Sequence, residues 1–105
     1  MNIIAIDELP LQPTPLGGKA RIMVDKPEVK LVNLVLDAGD LVQSHDAPVD
    51  VIFIVLEGRG SMLVEHDHIE VENGQLVTVP AGLSRQIVAD KDEGLSLLVV
   101  RSPNK

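Results

Sequence analysis

The chain has 105 residues, a length typical of one domain, with a net charge of −7 and no cysteine. Without cysteine, disulfides, cysteine-ligated zinc sites and thiol catalysis are excluded. The acidic balance and the single aromatic residue, Phe53, argue against nucleic acid and anionic membranes as partners, because such partners require clustered Lys and Arg or stacking rings. No run approaches the roughly 20 apolar residues of a membrane span. Residues 1–6 also lack the basic start of a signal peptide, so we expect a cytoplasmic protein.

The first predicted element is an extended lead-in over residues 9–18. It contains Pro10, Pro13 and Pro15 and ends in the pair Gly17-Gly18. Prolines at this density disfavour both a helix and a central strand. The segment is therefore predicted to cover an edge of the sheet rather than to form a domain of its own.

Short runs in which apolar and polar residues alternate follow the lead-in. Such period-two runs are typical of strands, and several of them at regular spacing predict an all-β sandwich or barrel. The sequence contains no persuasive helix, and residues 90–94 are interpreted as a charged turn. The clearest runs are Lys30–Leu36, Ser61–His66 and His68–Glu72, and the turn signals between strands are Asp37–Asp40, Glu57–Gly60, Glu72–Gly74 and Pro80–Gly82.

Two further runs, Val51–Leu56 and Leu97–Val100, are apolar at every position. A strand that is apolar on both faces has to be buried on both faces. One face would line the interior of the barrel. The other needs a cover, either the N-terminal segment or a second subunit, so a homodimer is predicted.

Two glycine-led patterns, over residues 39–58 and 74–85, carry a family resemblance. Gly39, His45 and Gly58 have the spacing of the first cupin motif, G-x5-H-x-H-x3/4-E-x6-G. Residues Gly74, Pro80 and Gly82 fit the second, G-x5-P-x-G-x2-H-x3-N. The chain thus resembles the cupin superfamily over roughly residues 31–100.

The resemblance implies an all-β, cupin-like double-stranded β-helix, that is, a jelly-roll barrel. The prediction is one cupin domain over residues 1–105. Within it, residues 1–30 form the lead-in and edge strands, and residues 31–101 form the conserved barrel.

The metal-binding positions of the family are mostly replaced in this chain. The resemblance implies three His and one Glu as ligands, but only His45 is present. Ala47, Val51 and Arg85 stand at the other ligand positions, and Ala89 replaces the motif-two Asn. A first-row metal needs about three or more N or O ligands, and Arg is not one of them. We therefore predict a degenerate metal site with no cofactor, in which His45 is only a weak metal candidate.

The predicted ligand-binding pocket consists of Gln43, His45, Val51, Phe53 and Arg85. Period two places Gln43 and His45 on one face of their strand, which in a cupin faces the pocket. His45 is interpreted as a hydrogen-bonding or acid–base group, or else as a leftover histidine bonded to a neighbour. Arg85 suits bidentate capture of a carboxylate or phosphate, unless it pairs with a protein acid or reaches the pocket mouth. Val51 and Phe53 would form the apolar floor.

His66 and His68 could in principle share a metal, because side chains two apart on a strand share a face. The resemblance places them on the hairpin between the motifs, and they are interpreted as solvated. The acids of the first motif do not have the spacing of a calcium loop.

The leading hypothesis is a small-molecule-binding cupin domain whose ligand is polar or anionic and contacts His45 and Arg85. The first alternative is a cupin enzyme that uses His45, either of the isomerase or epimerase type or a metal-dependent oxygenase. The second is a dimeric sensory or structural domain. No catalytic residue is assigned from the sequence.

Overall fold

The structure is a computed structural model that describes all residues from Met1 to Lys105. It confirms an all-β chain, since its only helical element is a 3-10 turn at Ile6–Glu8. No helix in it has the length and apolar character needed to cross a membrane. The strands are β1 Gln12–Pro13, β2 Lys19–Lys26, β3 Val29–Leu36, β4 Leu41–His45, β5 Val51–Val64, β6 Asp67–Glu72, β7 Leu76–Val79, β8 Arg85–Ala89 and β9 Leu95–Arg101.

The strands form one strongly curled antiparallel sheet in the order β1-β2-β3-β9-β5-β8-β4, and β6 and β7 also pair with β5. The first half of β5, residues 51–58, pairs with β9 and β7, whereas residues 59–64 pair with β6 and β8. The long β5 strand therefore belongs to both walls of the barrel. This arrangement is a jelly-roll barrel, as predicted.

The turn predicted at Glu57–Gly60 is not a turn, because β5 runs through it without a break. The strand bends there instead. Its register against β9 shifts between Val55 and Glu57, and Gly58 has a φ of 82°. A β carbon on Gly58 would lie 1.8 Å from the carbonyl oxygen of Gly94, so only glycine fits this bend.

The lead-in forms β1, which pairs with β2 at the end of the sheet order, as predicted for an edge-covering segment. A side chain of β2 also holds the backbone of the lead-in, since Arg21 Nε donates to the Leu9 carbonyl oxygen at 3.3 Å. In this way residues 12–16 are brought beside the mouth of the barrel.

The two all-apolar runs lie next to each other in the sheet as β5 and β9. Their inward residues are buried; these are Val51, Phe53, Val55, Leu95 and Leu97. Their alternate residues, such as Ile52 and Leu98, are only half-buried on the outer face. The sheet therefore has one apolar face in the core and a second that the chain covers only in part.

Candidate functional site

A cavity of about 640 Å³ lies inside the barrel, between the inner faces of β3, β9 and β5 on one side and β4 and β8 on the other. Its volume falls in the range of small-molecule sites. Its walls are mostly apolar, and neither Asp nor Glu lines it, although the chain contains 16 acidic residues. The polar residues that line it are Gln12, Thr14, Lys30, His45, Arg85 and Arg101.

Arg85 begins β8 and is only 1% exposed, so it does not reach the solvent at the cavity mouth. Its Nη1 donates to the Leu83 carbonyl oxygen at 3.3 Å, and its Nε is buried with no hydrogen-bond partner. The Cζ atom lies 5.7 Å from the centre of the Phe53 ring, within the range of a cation–π contact. Arg85 is thus a buried cation with donor capacity left unused.

Burial lowers the pKa of the Arg85 guanidinium, the positive charge of Arg101 lowers it further, and the carboxylate of Asp46 raises it. No carboxylate lies within 4.0 Å of Arg85, since the two ion pairs of the structure are Arg59–Glu93 and His68–Glu70. A guanidinium keeps its proton at neutral pH in proteins. The cavity therefore contains a positive charge without an ion-pair partner. The alternative prediction, that Arg85 pairs with a protein acid, is wrong.

His45 ends β4 and is the direct cross-strand partner of Arg85 on β8. The ring is half-buried, and its Nδ1 lies 3.0 Å from the Gln43 carbonyl oxygen. Because a carbonyl oxygen only accepts, Nδ1 carries the proton in this contact. In the neutral ring, Nε2 is then the acceptor left for a molecule in the cavity.

Gln43 is exposed and does not line the cavity, contrary to the prediction. The pairing of β4 with β8 passes from Val42↔Ile87 to His45↔Arg85, so β4 has one residue more than its partner between these pairs. This bulge brings both Val42 and His45 inward and breaks the regular alternation that grouped Gln43 with His45.

Val51 does not line the cavity either; it is fully buried in the core. Of the five residues predicted for the pocket, the structure brings together His45, Phe53 and Arg85. Sequence reasoning missed Lys30 and Arg101, which line the same cavity. The signal for Lys30 was its place in an alternating run whose other members on that face, such as Val32 and Leu34, are apolar.

The residues present do not fit the metal site of the family. No group of three or more His, Asp and Glu side chains in the structure could hold a metal ion. Ala47 and Val51 are buried apolar residues, and the third replaced position, Arg85, is a cation that would repel a divalent ion. The hairpin histidines His66 and His68 are exposed, as expected.

The sequence model of the cupin domain family matches residues 32–101. The chain belongs to the cupin superfamily. No curated protein is significantly similar to it in sequence.

Solved cupin structures share its fold at low sequence identity. The structure of KdgF from Halomonas sp. is 20% identical with a TM-score of 0.85, and the match covers 99% of this chain and 96% of that one. An RmlC-like cupin from Shewanella frigidimarina is 18% identical with a TM-score of 0.87, over 100% and 93% of the two chains. A predicted oxalate decarboxylase from Thermotoga maritima is 16% identical with a TM-score of 0.86, over 98% and 100%. At these identities the similarity establishes the fold alone.

Proposed function

We propose that this cupin domain binds a small anionic molecule in its cavity, with Arg85 and His45 as the principal polar contacts. The observation that carries the proposal is the buried guanidinium of Arg85, whose Nε has no partner and which no carboxylate neutralises. A buried charge without a partner is costly, and buried polar groups are ordinarily hydrogen-bonded. An anionic ligand would supply both the missing acceptor and the missing negative charge.

The chemistry of the neighbouring groups supports the same conclusion. A guanidinium forms two parallel hydrogen bonds to a carboxylate or a phosphate. Nε2 of His45, beside it across the β4–β8 pair, can accept a hydrogen bond from a hydroxyl or N–H group next to the anionic group of the ligand. Phe53 offers a flat apolar wall under the guanidinium.

Binding is favoured over catalysis because of the partner that His45 has. A histidine acting as general base is usually oriented by a carboxylate. Here the orienting group is the carbonyl oxygen of Gln43, and the cavity is lined by no acid. No observation specifically favours the isomerase, epimerase or oxygenase alternatives.

The proposal is tested by thermal unfolding and isothermal titration with simple carboxylates and inorganic phosphate at low ionic strength. At least one of these anions is expected to bind the wild-type protein and to raise its melting temperature. Both effects should vanish in Arg85→Met. His45→Ala should weaken the binding only of a carboxylate with a hydroxyl group that donates to Nε2, such as glycolate, and not that of acetate. Arg59→Met, which removes the same charge from an exposed site outside the cavity, should bind like wild type. Wild-type protein that binds none of these anions, or Arg85→Met that binds them equally well, would overturn the proposal.

The predicted homodimer and the cytoplasmic location remain part of this proposal. The half-covered apolar face of β5 and β9 supports a second copy as the partner. A dimer would present two such cavities. No cofactor is included in the proposal.

A further inference from the structure

The cavity has a second basic end that the proposed function leaves unused. Lys30 on β3 and Arg101 on β9 both line the cavity, and they are direct cross-strand partners. Facing residues in an antiparallel ladder have β carbons about 4.5–5.5 Å apart, and like charges at facing positions destabilise the pair. The sheet therefore holds two cations side by side on its inner face.

No Asp or Glu side chain neutralises this pair. Neither Lys30 nor Arg101 takes part in either of the two ion pairs, and no acid lines the cavity. Arg101 Nη1 donates to the main-chain oxygen of Lys105 at 3.0 Å, which leaves its other N–H groups available. In a chain with a net charge of −7, such an acid-free basic end is not explained by composition.

Both basic ends of the cavity lie near Phe53. Arg85 stands over the Phe53 ring, and Phe53 pairs with Val99, two residues before Arg101 on the same face of β9. Diagonal neighbours of this kind are about 7–8 Å apart. The charge of Arg101 is near enough to Arg85 to lower its pKa.

We propose that the ligand carries two anionic groups, one bound by Arg85, beside the acceptor Nε2 of His45, and the other by Lys30 and Arg101. This inference rests on the proposed function, because it assigns a second contact to the same cavity. The apolar residues Val32, Leu34 and Val99 line the same cavity and fit a short apolar middle of the ligand. A small dicarboxylate, or a molecule with a carboxylate at one end and a phosphate at the other, has this chemistry.

The test compares succinate, glutarate, adipate and phosphoglycolate with the monoamides of the three dicarboxylates, by isothermal titration at low ionic strength. Each monoamide retains the length of its parent and loses one charge. The best-binding dicarboxylate should bind wild type about tenfold to a hundredfold more tightly than its monoamide, the range expected for one charge-assisted contact.

Arg101→Gln and Lys30→Gln should each weaken binding of that dianion about tenfold and leave binding of its monoamide within about twofold. Arg59→Gln provides the matched control, because it removes one positive charge outside the cavity. Arg101→Gln also removes the contact of Arg101 with Lys105, whereas Lys30→Gln leaves it in place, so a loss of affinity in Lys30→Gln cannot come from that contact. Since Lys30→Gln removes a like-charge neighbour, it should fold with an unchanged or higher melting temperature.

Equal affinity of the wild-type protein for dianion and monoamide would overturn the second anionic contact. So would an equal loss for both compounds in Lys30→Gln and Arg101→Gln. Either result leaves the proposed function standing as long as Arg85→Met abolishes binding of the monoamide. Wild-type protein that binds none of the seven compounds would overturn both proposals.

Discussion

At the scale of single residues, the candidate site differs from the metal site of the family in the charge of its side chains. Arg85 stands where the family resemblance implies a neutral metal ligand. Arg in place of His removes a side chain that could ligate a metal cation, and adds a buried positive charge instead. A positive charge at this position would favour a ligand of the opposite charge, and this is the physical basis of the proposed anion site.

The buried charge of Arg85 is expected to reduce the stability of the ligand-free protein. Because burial lowers the pKa of Arg85 on folding, the protonated guanidinium is less stable in the native than in the unfolded state at neutral pH. Arg85→Met should therefore raise the free energy of unfolding by about 1 kcal/mol or more, as replacement of buried charges by apolar residues often does. Denaturant unfolding at pH 7 without ligand measures this.

The exposed Arg59→Met is the control for that measurement, and its effect should stay within about 0.5 kcal/mol. A clear loss of stability in Arg85→Met would mean that Arg85 has a structural role, and would count against an unsatisfied binding group.

The single histidine of the site leads to a prediction about metal content. One ring nitrogen is too small a donor set for a first-row metal. Protein purified without a polyhistidine tag should contain no stoichiometric transition metal by elemental analysis, and His45→Ala should not alter that content. A stoichiometric metal that disappears in His45→Ala would contradict the site described above.

At the scale of elements, the bend in β5 joins the two walls of the barrel and so gives the cavity its shape. Gly58 and Gly74 provide a matched comparison, because their φ angles are 82° and 86°. A β carbon at Gly74 would meet nothing within 4 Å, whereas one at Gly58 would collide with the Gly94 backbone.

Gly74→Ala should cost about 1–2 kcal/mol from backbone strain alone. Gly58→Ala should cost more than 4 kcal/mol or prevent folding, because the two backbones have to separate. Thermal and denaturant unfolding distinguish the two cases. Equal effects of the two substitutions would show that the close approach of β5 to Gly94 does not control the stability of the barrel.

At the scale of the whole molecule, the outer face of the β9–β5–β7 wall is the surface on which we expect a second copy. Leu76 pairs with Ile54, which pairs with Leu98, so the three residues share this face, and Leu76 is 57% exposed. Elsewhere, the N-terminal segment also exposes apolar residues, among them Ile3 and Ile4. Neighbouring exposed apolar residues on one sheet face are typical of protein interfaces.

Size-exclusion chromatography with light scattering should give a dimer at micromolar concentration. Leu76→Lys should shift the protein towards the monomer, because it places a charge in the interface. Leu63→Lys is the control, since Leu63 is also exposed but lies on the β6–β8 side of β5. A monomeric wild-type protein would contradict the dimer, and so would equal effects of the two substitutions.

The fold class could be predicted from the amino-acid sequence, because the alternation of apolar and polar residues and the glycines at turns are local features that do not depend on which strands pair. It also identified His45, Phe53 and Arg85, because fixed motif spacing places them on the barrel wall. Gln43 could not be placed from the sequence. Its orientation depends on the bulge in β4, which is defined only against β8.

The charge pattern of the cavity could not be predicted from the sequence, because it depends on which strands pair and in which register. Lys30 and Arg101 are 71 positions apart in the sequence, and the β3–β9 register alone makes them neighbours. The continuity of β5 through Glu57–Gly60 was likewise decided by pairing with β9, because the glycines there suit a turn and a bend equally well. Register between distant strands is a property of the assembled sheet. The β3–β9 register places Lys30 beside Arg101, and so adds a second basic end to the cavity that Arg85 lines.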